Sequence, residues 1–147
     1  MTIREIQEET ANALNGVEEL VNGGCKAIAE DAQDVLFETR QALEAGNVCI
    51  VVATPKAVRS GGETADGIPA KMLVSVQCSE IPDLNRAVAG HLTSLDAAEI
   101  AAHALEAEGY GFLSIEQWVD ERRRLVTAEA IFDTEAILTS LSPEDPE

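Results

Sequence analysis

The residue types best suited to metal binding or nucleophilic catalysis in this chain are two histidines and three cysteines, and their spacing favours neither chemistry. His91 and His103 are twelve residues apart, one ahead of an expected helix and one inside it, so they cannot share a helical face. A zinc site would need further His or Cys at local spacing. Cys25, Cys49 and Cys78 are far apart, the last two in apolar strand-like runs, and are expected to be buried free thiols in a reducing compartment. Nothing in the spacing favours a nucleophilic pair such as Cys78 with a histidine. Gly61-Gly62 lacks the Gly-Lys-Ser/Thr or G-x-G-x-x-G context of a phosphate loop. Glu80 and Asp83 in one turn, or Glu99, Glu106 and Glu108 on one helix, could be imagined as paired carboxylates for acid–base work. With 27 acidic residues in the chain such coincidences are expected, and solvated faces explain them. No catalytic, cofactor-binding or metal-ligating residue is assigned, and the chain is expected not to be an enzyme.

The elements that position these residues follow from hydrophobic period. Residues 2–15 form a first helix with Glu5, Glu8 and Glu9 near its positive end and a stop at Asn15-Gly16. Cys25 to Ala29 is a short strand. A second helix, N-capped in Asp31-x-x-Asp34 and ending before Gly46, shows an apolar line of Ala32, Val35, Leu36, Thr39 and Leu43. Val48 to Ala53, apolar without alternation, predicts a strand covered on both faces in the middle of the sheet. Residues 54–69, with three glycines and two prolines, are a long exposed loop or hairpin arm. From Ala70, Met72, Val74, Val76 and Cys78 alternate with polar neighbours, predicting a half-buried strand that stops at Pro82 in an acidic turn. Thr93 to Asp96 resembles a capping box opening a helix with an alanine stripe that ends at Gly109. Phe112–Trp118 and Leu125–Phe132 are two strands joined by a charged turn, Val119 to Arg124. The expected fold class is α+β: a small mixed, largely antiparallel sheet packed with helices on one side, in the order α-β-α-β-loop-β-α-β-β. Residues 1–135 form one domain and 136–147 an acidic, proline-containing tail.

Composition sets the class of partner. The chain has 147 residues, 46% of them hydrophobic, enough for one core without disulfides or metal, and only 3% are aromatic, which disfavours base stacking. A net charge of −17 repels phosphate backbones and anionic lipid, so direct nucleic-acid affinity is not expected. The charge is uneven: residues 1–47 carry ten acids and three bases, 48–93 four of each, and 94–147 thirteen acids and three bases. The neutral middle is the expected buried or partner-facing part. No apolar window approaches the roughly 18 residues of a membrane span, and MTIREIQEET has no apolar core of a signal peptide.

VCIVVATP, the 54–69 loop, KMLVSVQCSEIPDLNR, the Leu95–Glu108 helix and the two closing strands, together spanning about residues 24–135, resemble the tail terminator and neck-type proteins of long-tailed bacteriophages and prophages. The resemblance implies a structural virion protein. Its subunit, a small mixed sheet with a long hairpin or loop between middle strands, assembles into a ring, typically a hexamer. That ring caps the finished tail tube and offers a surface to the head-completion proteins. It implies synthesis in the host-cell cytoplasm and a final place in the virion tail. A hexamer would carry a charge of roughly −100, and an acidic lumen would let DNA pass without sticking. Candidate subunit or partner contacts are Lys56, Arg59, Glu80, Asp83, Leu84, Asn85, Arg86, Arg122, Arg123 and Arg124. The arginine run is expected to form a salt-bridging edge against an acidic neighbouring subunit. The alternative is a non-enzymatic regulatory or adaptor module that binds a ligand or partner protein through the 54–69 loop.

Overall fold

A strand that alternates apolar and polar residues must bury one face, and here two helices supply the cover. The computed structural model describes residues 1–139. In chain order the elements are α1 (Ile3–Asn15), α2 (Glu18–Asn22), β1 (Lys26–Ala29), α3 (Val35–Glu44), β2 (Cys49–Val52), β3 (Lys56–Arg59), β4 (Ile68–Glu80), α4 (Pro82–Asn85), α5 (Ser94–Ala107), β5 (Gly111–Asp120) and β6 (Leu125–Leu138). The fold is α+β, with one mixed sheet in the order β1-β2-β4-β6-β5. Among the described residues only β1 and β2 run parallel, and β3 pairs with β4 in line with β2.

Register assigns each strand residue to a face. Ile50, Cys78 and Ala128 lie in one row and Val52, Val76 and Ala130 in the next, all fully buried, with Val74 and Phe132 opposite each other beyond them. Onto this face pack Ile6 and Leu14 of α1 and the stripe Ala97, Ala98, Ala101 and Leu105 of α5. Small residues on α5 let its backbone come close to the sheet. Each large side chain so buried contributes roughly 1.5–3 kcal/mol. Both helices start in capping boxes: Thr2 with Glu5, and Thr93 with Asp96.

The second face is more open. Its centre is a polar cluster in which Ser75 and Gln77 donate to Glu129 while Ser79 and Thr127 share a hydrogen bond of 2.8 Å. The apolar line expected of α3 is not buried: none of its residues is, and Leu36 and Phe37 are 79% and 61% exposed. The helix borders a groove of about 480 Å³ over this face rather than closing onto it.

Three further expectations are corrected. The middle of the sheet is β4, not the 48–53 strand, which lies next to the β1 edge. Cys49 and Val51 are apolar because they line the groove under α3, so β2 looks like a central strand without being one. Of the two readings of residues 54–69 the hairpin arm is the one found, but one limb is a strand absent from the expected order: β3 and the start of β4 make the arm, held by the Ser60 N–H to the Pro69 carbonyl and closed at Thr64–Gly67. The last strand runs to Leu138, so residues 136–138 belong to the sheet, while 140–147 of the expected tail lie outside the described residues. Two one-turn helices, α2 and α4, also went unforeseen.

Candidate functional site

The candidate contact residues fall into two groups, one beside each end of β4. Lys56 and Arg59 sit on β3, exposed, opposite Leu73 and Ala70. The other eight gather at the far end of the sheet, beyond Glu80, seven residues from Leu73 or about 23 Å along the strand.

At that far end Glu80 and Asn85, expected as surface contacts, are instead 0% and 1% exposed. The Glu80 carboxylate accepts from the Arg86 guanidinium and from the backbone N–H of Ser94, the first residue of α5, where the helix dipole also favours an anion. Asn85 donates to the carbonyls of Gly46 (3.0 Å) and Leu92 (2.8 Å). His91 Nδ1 lies 2.8 Å from the same Gly46 carbonyl. Gly46 has φ +81°, and a Cβ there would stand 2.7 Å from the Leu84 carbonyl oxygen, so a side chain is excluded both by conformation and by space. These bonds strap the 80–94 segment to the sheet from inside.

The surface of the same end is formed by the remaining residues. Asp83 and Arg124 pair across 3.8 Å, both about 80% exposed, which joins the 80–86 turn to the 122–124 turn but stabilises it little. With Pro82, Val119, Glu121 and Val126 they line a cleft of about 270 Å³. Arg123 lines the groove under α3, and its backbone N–H donates to Asp120 at 3.3 Å. Arg122 and Leu84 are exposed, and the Arg86 side chain is half exposed.

The cysteines are free and buried. Burial pushes the Cys25 thiol up to about 11 and raises those of Cys49 and Cys78 as well, so none is a ready nucleophile. Among the described residues no three His, Cys, Asp or Glu side chains are grouped to hold a metal ion.

The strand edges are what sequence reasoning missed. Asn15, read only as a helix stop, accepts from the Ala27 N–H at 2.8 Å and donates to the Ala27 carbonyl at 2.9 Å. Its amide thus occupies the outer edge of β1. Among the described residues, β3 pairs only with β4 and β5 only with β6. Both therefore present an outer edge without a strand partner. Beside the β5 edge, Leu113, Trp118 and Val119 are 52%, 41% and 63% exposed. No signal in the sequence separates an Asn that caps an edge from one that merely ends a helix. No family model and no curated protein matches the chain.

Proposed function

We propose that this chain is a structural, non-enzymatic subunit that assembles with copies of itself into a ring capping a phage tail tube and joining it to the head-completion proteins. The observation that carries the assembly part is the pair of unpartnered strand edges on opposite sides of one sheet. Two different surfaces on opposite sides suit head-to-tail contacts, and such contacts close into a ring when the rotation between copies allows. The exposed hairpin arm and the apolar residues beside β5 are consistent with surfaces that become covered in an assembly. The tail-tube part rests on the resemblance of residues 24–135 to tail terminator proteins, and with it synthesis in the host cytoplasm and a final place in the virion tail.

The test is solution mass by light scattering over a wide concentration range, negative-stain imaging of what elutes, and co-sedimentation with purified tail tubes. Rings of about six copies, alone or templated on the tube end, support the reading. A chain that stays monomeric at every concentration and leaves tube ends uncapped overturns it and favours an adaptor acting through the arm.

A further inference from the structure

We propose that neighbouring copies join by adding the outer edge of β3 in one copy, antiparallel, to the outer edge of β5 in the next, with Val58 opposite Trp118. This junction rests on the ring-forming reading for why copies meet, and it names the surfaces that meet.

Of the sheet's strands with one neighbour, β1 is closed by the Asn15 amide, which leaves β3 and β5. Their charges differ in sign. β3, KAVR, carries Lys56 and Arg59 and no acid, whereas β5, GFLSIEQWVD, carries Glu116 and Asp120 and no base. Pairing β3 with β3 or β5 with β5 sets like charges side by side, which destabilises a ladder, and only the mixed pairing sets opposite charges together. In a chain of net charge −17 a contact between copies needs such local complementarity to overcome general repulsion.

The faces also agree. Lys56 and Val58 lie on the second face, opposite Leu73 and Lys71, and Trp118 and Asp120 lie on it opposite Thr127 and Leu125. Strand direction alternates from β3 through β4 and β6 to β5, so a rotation that carries one copy onto the next brings β5 against β3 antiparallel. Placing Val58 opposite Trp118 then places Lys56 opposite Asp120 and runs the outgoing limb of the arm along the rest of β5. Two side chains exposed by 42% and 41% cover each other.

This register has a geometric corollary. Val58 lies in the row of Lys71 on β4 and Trp118 in the row of Ser79, eight residues further along. The slide between copies is therefore about 27 Å along the strands, across a unit four strands or roughly 19 Å wide. Strands in the ring must lean steeply from its axis, as staves do in a sheared barrel.

The experiment is disulfide cross-linking of the full chain by mild oxidation, read on denaturing gels without reductant. A chain carrying both Val58→Cys and Trp118→Cys should give a ladder of dimers, trimers and higher species, while either single variant should give no ladder beyond dimer. As a second variant set that leaves both positions intact, Lys56→Glu should weaken assembly at least tenfold and Lys56→Glu with Asp120→Lys should restore it. Rings that form without a ladder and without rescue overturn the junction but leave the ring reading standing. A cross-link from Trp118→Cys to the tail-tube protein and none between copies overturns the junction in favour of a tube contact. Absence of any assembly, with or without tubes, overturns both.

Discussion

Glu80 has two charge-assisted partners, Arg86 and the first N–H of α5, and no exposed surface. Truncation leaves that N–H without its acceptor and the guanidinium with only the Asn85 Oδ1, and Glu80→Ala should cost about 3 kcal/mol, discounted from a fully buried pair because Arg86 is half exposed. Urea unfolding checks this, and a loss below about 1 kcal/mol would mean that the strap is dispensable. The thiols give a pH dependence at the same scale. Cys25 keeps its proton to about 11 when folded, whereas in the unfolded chain it releases it near 9. The native state thus holds a proton the unfolded state has lost, so the contribution is complete below pH 9 and declines as pH rises from 9 to 11. Its share is on the order of 2–3 kcal/mol by the top of that window. Comparing the alkaline stability loss of the wild type with that of Cys25→Ala isolates it: the variant should lose less between those pH values.

At the level of elements, Asn15 ties the end of α1 to β1 while closing the β1 edge. Asn15→Ala should cost roughly 1–3 kcal/mol and add a third open edge, seen as a lower melting temperature and earlier aggregation on heating. Asn15→Asp keeps only the acceptor and should fall between. The elements were legible to unequal degrees, for physical reasons. β4, α1 and α5 were plain in the sequence because alternation, helical spacing of apolar residues and, for α5, a capping box are local signals, whereas the Thr2–Glu5 box of α1 was not read. β3 was not, because four residues between Pro55 and Gly61-Gly62 carry no readable period. The span of α3 was close, yet its apolar line misled, since those residues border an open groove instead of a core. The far-end site was legible as a cluster but not as buried or exposed. The partner that buries Glu80 is a backbone N–H fourteen residues away, and sequence spacing carries no record of that contact.

For the whole molecule the governing quantity is charge. A ring of these subunits would bring many acids together, and at low ionic strength their repulsion reaches beyond the few opposite charges of the junction. Screening shortens to about 10 Å at 0.1 M salt, which removes the long-range repulsion more than the close pairing. Raising salt from about 0.02 to 0.2 M should therefore lower the concentration needed for assembly several-fold, measured by light scattering. An opposite trend would mean that attraction between the junction charges outweighs the general repulsion. The Asn15 amide has one more consequence, in covalent chemistry. It is followed by Gly16, the neighbour whose backbone nitrogen most readily attacks an asparagine side chain and deamidates it. Here that attack is blocked, because the amide is pinned to Ala27 and the Gly16 N–H is held by the carbonyls of Ala13 and Leu14. Slow deamidation at this one bond, followed by mass spectrometry over days, is then a clock that ticks only while the edge of the sheet stands open.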